Sequence, residues 1–191
     1  MSSIIRRLLV LSIATLAMIG HARADEYAKT IELFKNAGES GSFFKNSYAY
    51  AVFPTVGKAG LGIGGAGGTG RVYEKGVYVG DVSLTQISIG FQAGGQAFSQ
   101  IIFLKDKRAF DEFTSGEFAF GAGIGAVAIT AAASASAGTT GASAAASGGK
   151  RDATTAGNYY KGMAVFTIAK GGLMYEASLA GQKFSYKTRK K

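Results

Sequence analysis

The chain has 191 residues, a formal net charge of +9, 29 glycines, one proline, one histidine and no cysteine. Without cysteine there is no disulfide support, thiol nucleophile or thiolate metal site, and the lone imidazole, His21, falls in an N-terminal segment expected to be cleaved, so the mature chain is expected to lack Ser-His-Asp and Cys-His machinery. No cofactor and no metal are therefore expected, and the excess of cations directs attention to anionic partners.

Arg6 and Arg7, an apolar run from Leu8 to Ile19, and Ala22-Arg23-Ala24 before Asp25 have the layout of a secretory signal peptide cleaved after Ala24. A membrane-spanning anchor takes about 20 apolar residues, which this run does not reach. Cleavage leaves one domain of about 167 residues with a charge of about +6, ending in a basic C-terminal tail. An exported basic domain is expected in the periplasm, at the outer membrane, on the surface or secreted. Its partners there are anionic lipid, lipopolysaccharide or another acidic polymer rather than nucleic acid.

Asp25 can cap a helix whose Tyr27, Ile31 and Phe34 form an apolar stripe, with Lys29, Glu32 and Lys35 off it and Gly38 at its end. Such a stripe packs on its own domain or meets lipid. Ser40 to Ser47 reads as a turn region and Tyr48 to Phe53 as a strand stopped by Pro54. Eight glycines from Gly57 to Gly70 stand among β-branched and aromatic residues, as in close-packed, kinked strands. Strands are expected over Ala59–Tyr73, Val77–Val79, Leu84–Phe91 and Ala97–Leu104, broken at Glu74-Lys75-Gly76, Gly80-Asp81 and Gly94-Gly95. The short breaks favour antiparallel hairpins. Asp106 caps a second helix with Ala109, Phe110 and Phe113 on its apolar side, and Glu117 to Thr130 returns to a strand pattern. From Ala131 to Gly149 the composition collapses to Ala, Ser, Gly and Thr, read as a tightly packed strand and then a loop around Gly138 to Asp152. Tyr159–Ile168 and Gly172–Leu179 form a hairpin, and the tail follows.

Catalytic signals are weak. Gly62-Ile63-Gly64-Gly65-Ala66-Gly67 satisfies a dinucleotide fingerprint by letter, but no helix follows to face a pyrophosphate. Gly148-Gly149-Lys150 lacks the magnesium-binding hydroxyl of a phosphate loop, since Arg151 stands there. The acids Asp81, Asp111, Glu112, Glu117, Asp152 and Glu176 sit in turns or beside cations, with no spacing that makes a catalytic pair, so the chain is not read as an enzyme. Basic residues gather instead at Lys105, Lys107 and Arg108, at Lys150 and Arg151, and at Lys183 and Lys187. Together with Tyr27, Lys29, Ile31, Phe34 and Lys35 these are the candidate lipid-binding residues.

Ala51-Val52-Phe53-Pro54, Lys58 to Gly65 and Gly70-Arg71-Val72 resemble the opening signature of the SYLF domain, a module also found in yeast actin-patch proteins. Gly90 to Gln96, Phe118 to Ala122 and Lys170 to Gly181 are similar to its later blocks. The resemblance implies a lipid-binding module: eukaryotic relatives bind phosphoinositides, in part through an N-terminal amphipathic helix, and some bind actin. The signal peptide sets this chain apart and makes actin an unexpected partner.

The fold expected is α+β, a mostly antiparallel glycine-rich sheet or partly closed barrel with an N-terminal amphipathic helix and a second short helix. The function expected is reversible association with anionic phospholipid membranes. The alternative is a structural envelope or surface protein acting by self-association or protein contact through flat small-residue strands.

Overall fold

A computed structural model describes residues 26–61, 63–89, 94–120, 127–129, 159–170 and 181–190. Among the described residues eight strands form one sheet: β1 (Ala49–Leu61), β2 (Ile63–Glu74), β3 (Val77–Ile89), β4 (Gly94–Leu104), β5 (Glu117–Ala119), β6 (Val127–Ile129), β7 (Met163–Lys170) and β8 (Gln182–Thr188). Their order is β5-β8-β3-β2-β1-β4-β7-β6, antiparallel except where β6 runs parallel to β7. Among the described strands the sheet is not closed into a barrel, with β5 and β6 at its two edges. It is nevertheless curled, because Gln100 on β4 bonds Gln182 on β8 through both side-chain amides at 3.0 and 3.3 Å, although three strands lie between them.

Alternation along the strands sorts the side chains onto two faces. Ala51 and Phe53 of β1, Ile102 and Leu104 of β4 and Val165 of β7 fill the core inside the curl, with Leu84 and Phe184. Val52, Ile101, Phe103 and Phe166 point to the other face. The central strands β1, β4 and β7 are thus buried on both sides, whereas β3 and β8 bury every second residue and expose Asp81, Ser83, Lys183 and Lys187.

Helices cover both faces. Residues 26–36 form helix α1, whose Tyr27 and Phe34 are buried against Val52, Ile101 and Phe166, with Ile31 half-buried beside them. The expected cap at Asp25 lies outside the described residues. Two short helices, α2 (Gly38–Gly41) and α3 (Phe43–Asn46), replace the expected turn region. Ser40 ties their start to α1 by donating to the Phe34 and Ala37 carbonyls at 2.6 and 3.2 Å, and Phe43 anchors α3 against Phe103 and Phe166. On the other face α4 (Lys107–Phe113) buries Ala109 and Phe113, and its Asp106 cap accepts from the Ala109 N–H at 2.9 Å as the sequence predicts.

Several strand boundaries differ from expectation. The run from Glu117 to Thr130 yields two separate strands, β5 and β6, at opposite edges, β4 already begins at Gly94, and β7 runs from Met163 to Lys170 rather than from Tyr159 to Ile168. Three further differences have tertiary reasons. β1 does not stop at Pro54: the register shifts between Val52 and Val56, so the missing N–H falls in a bulge, and the Pro54 carbonyl accepts from Ser99 Oγ at 2.8 Å. The run from Ala59 to Tyr73 is divided between β1 and β2, with Leu61 paired to Ile63. β3 passes straight through Gly80-Asp81, because Gly80 is needed for close approach rather than for a turn: a Cβ there would lie 2.5 Å from the Tyr186 ring. The strand after the dinucleotide-like string continues as β2 through Thr69 to Tyr73, with no helix behind it. The expected loop from Gly138 to Asp152 and the strand over Gly172–Leu179 lie outside the described residues.

Candidate functional site

Between α1, α3 and the β2–β3 turn lies a groove made of two adjoining hollows of about 480 and about 580 Å3. Lys35, Tyr50 and Gly76 line both. The floor is aromatic: Tyr50 stacks on Tyr73 at 5.1 Å, and Phe44 meets Tyr50 edge-on at 5.1 Å. Burial, and then the neighbouring Tyr73, pushes the Tyr50 phenol up to about 12, so it stays a neutral hydrogen-bonding group.

Three lysines from three elements rim this floor: Lys35 from α1, Lys45 from α3 and Lys75 from the β2–β3 turn. Lys35 Nζ lies 5.5 Å from the Phe44 ring centre and Lys75 Nζ 5.3 Å from that of Tyr48. Lys75 is held in place, since its N–H donates to the Tyr48 carbonyl at 3.0 Å while the Tyr48 hydroxyl donates to Glu74 Oε1. That bond to Glu74 raises the Tyr48 pKa. Among the described residues no carboxylate forms an ion pair with Lys35, Lys45 or Lys75. Glu32 lines the second hollow beside Lys35, so the cationic end is the first hollow, where three ammonium groups above an aromatic floor suit an anion carrying apolar matter. Among the described residues no group of three or more acids gathers to hold a metal.

The sequence-derived candidates divide. Lys35 joins the groove. Tyr27 and Phe34 are core residues in this conformation and Ile31 borders both core and groove, so insertion of Tyr27 or Phe34 into lipid requires α1 to leave the sheet. Lys29 is exposed on the outer side of α1. Lys107 and Arg108 are ion-paired along α4, to Asp111 at 2.6 Å and to Glu112 at 3.0 Å, which neutralises that part of the cluster. The bond to Asp111 raises the Lys107 pKa. Lys105 stands apart from them, with Nζ 5.8 Å from the Tyr159 ring centre. Lys183 and Lys187 belong to β8, where Lys187 is paired across the ladder with Asp81. They are strand residues facing solvent, and the structure does not bring them to the groove. Lys150 and Arg151 lie outside the described residues.

Lys45, Lys75 and Arg71 were not singled out from the sequence. Arg71, inside the signature string, has its guanidinium carbon 4.3 Å from the Tyr27 ring and 4.8 Å from the Tyr78 ring, and so clamps α1 to β2 and β3. Among the described residues no helix is long and apolar enough to cross a membrane.

Residues 85–190 match the model of the Ysc84 family, described as Las17-binding protein actin regulator. The chain is also similar to "Beta cell expansion factor A" of Aeromonas veronii, 26% identical over 158 residues, which are 81% of this chain and 51% of that protein. It therefore spans about half the length of the curated relative it matches. With a family match across more than half its length, the chain belongs to the SYLF (Ysc84) family of lipid- or actin-binding domains.

Proposed function

We propose that this domain is exported and associates reversibly with anionic phospholipid membranes. The observation that carries the reading is the convergence of Lys35, Lys45 and Lys75 on one aromatic groove while Lys107 and Arg108 are neutralised on α4. Each cation at an anionic surface contributes about 1 kcal/mol. Three of them bind weakly and remain sensitive to salt.

The lysines make contact with α1 docked. Exposing Phe34 and Tyr27 abandons contacts worth about 3 kcal/mol or more per aromatic, and transfer into a bilayer returns roughly what their burial already supplies. Export rests on the segment over residues 1–24, and mass measurement of the secreted form is expected to find Asp25 as the first residue.

Co-sedimentation with vesicles tests the membrane reading. Binding is expected to rise with the fraction of phosphatidylglycerol in phosphatidylcholine and to fall with salt. Lys35→Ala and Lys45→Ala are each expected to weaken it about fivefold. Binding indifferent to anionic lipid and to salt rejects the reading. Sedimentation that grows with protein concentration and needs no lipid would favour self-association instead.

A further inference from the structure

One end of the sheet carries a feature that the groove does not account for. Main-chain bonds set two turns and two strand ends side by side there: Lys75 N–H donates to the Tyr48 carbonyl at 3.0 Å, Tyr48 N–H to that of Leu104 at 2.9 Å, and Lys105 N–H to that of Gly162 at 2.9 Å. The β2–β3 turn, the start of β1, the end of β4 and the turn before β7 thus follow one another at successive strand spacings, a line of about 15 Å.

Along this line lysine and tyrosine repeat. Lys75 lies over Tyr48, Lys105 over Tyr159 and Lys161 over Tyr160, with Nζ 5.3, 5.8 and 5.6 Å from the ring centres. Among the described residues no carboxylate forms an ion pair with any of the three lysines. The acids nearby are engaged: Glu74 accepts from Tyr48, Asp106 caps α4, and Asp111 and Glu112 hold Lys107 and Arg108. Apolar groups stand beside two of the lysines, Val77 at 65% and Tyr160 at 38% exposure.

The backbone adds an independent observation. Lys75-Gly76 and Lys161-Gly162 are two-residue turns with positive φ at both positions, 49° and 82° in one and 49° and 84° in the other. Asn, Asp or Gly fits the first of these positions with less strain than lysine. Twice the chain keeps a lysine at a turn apex that Asn, Asp or Gly would occupy with less strain, and at the second apex Arg108 donates to the Lys161 carbonyl at 3.1 Å and holds the turn in place.

We propose that this Lys-Tyr rim is the surface on which the domain sits on an anionic bilayer. The strands stand end-on, the ammonium groups of Lys75, Lys105 and Lys161 lie at phosphate level, and Tyr160 and Val77 lie in the interface. The inference rests on the lipid reading above and adds to it an orientation and two lysines outside the groove.

The test compares two charge-matched double variants of the full chain on vesicles of phosphatidylglycerol in phosphatidylcholine. Lys75→Asn with Lys161→Asn removes two rim cations and puts a residue favoured by the turn at each apex, so melting is expected at or above the unmodified temperature. Lys58→Gln with Lys183→Gln removes two cations away from the rim, on β1 and β8. At about fivefold per cation, the rim pair is expected to lose about 25-fold in partitioning and the distal pair only a fewfold. Lys105→Gln, outside both turns, is expected to lose about fivefold and gives the answer independently should the turn variants fold poorly. Equal losses in the two pairs, or no loss in the rim variants, overturn the rim and leave lipid association standing. Unmodified protein that ignores anionic vesicles overturns both.

Discussion

Lys105 and Lys161 on the rim and Lys107 and Arg108 on α4 are near neighbours, yet their charges meet different fates. The helix places Asp111 and Glu112 four residues after its cations, on the same face, and the pairs close at 2.6 and 3.0 Å. A two-residue turn has no such neighbour to offer. Lys75 and Lys161 at the turn apices and Lys105 at a strand end therefore face a tyrosine ring instead of a carboxylate. Counting cations along the chain does not find a binding surface; asking which of them the local geometry leaves without an acid does.

The groove exists only while α1 and α3 stay packed as its walls. Phe34 is fully buried, so Phe34→Ala is expected to cost about 3–5 kcal/mol in urea unfolding. A cost below about 1 kcal/mol would show that α1 is not held on the sheet.

The second effect reverses the fate of the α4 cations. Asp111→Ala with Glu112→Ala removes two surface acids, frees Lys107 and leaves Arg108 only its longer contact with Asp106 at 4.0 Å, so affinity for anionic vesicles is expected to rise severalfold. The melting temperature is expected to stay nearly unchanged, because both pairs are solvent-exposed. Unchanged affinity would mean that α4 faces away from the membrane.

The smallest effect concerns the phenols beneath and beside the lysines. Burial comes first among the causes that push Tyr50, Tyr78 and Tyr159 up to about 12, from an ordinary value near 10. A phenol with a raised folded pKa favours the neutral form. Its contribution to stability is complete below about pH 10 and is lost as pH climbs from 10 towards 12. Urea midpoints are expected to stay flat through neutral pH and to fall in that alkaline window. Tyr50→Phe is expected to flatten part of the fall, and an unaltered profile would remove Tyr50 from the account.

Local rules carried much of the architecture. The α1 stripe, the Asp106 cap of α4 and the turn at Glu74-Lys75-Gly76 each depend on residues within a few positions of one another, and each stands where the pattern places it. The misreadings have non-local causes. Pro54 interrupts nothing because a bulge takes up its missing N–H, and Gly80 is a landing place for Tyr186, more than a hundred residues away. The helices α2 and α3 are too short to show a period, and what anchors α3 is the contact of Phe43 with Phe103 and Phe166. The i,i+4 acids on α4 were visible in the sequence as Asp111 and Glu112, and they are the signal that separates Lys107 and Arg108 from Lys105.

By itself the sequence determined the chemical repertoire: no thiol and only His21 as an imidazole, an excess of cations, glycine-rich antiparallel strands and a helix with one apolar side. These follow from composition and from periods of two and 3.6 residues, which need no knowledge of distant neighbours. It took the folded chain to bring Lys35, Lys45 and Lys75 to one groove, and Lys75, Lys105 and Lys161 to one end of the sheet. That convergence comes from ladder pairing between segments tens of residues apart, whose order β3-β2-β1-β4-β7 no local pattern encodes.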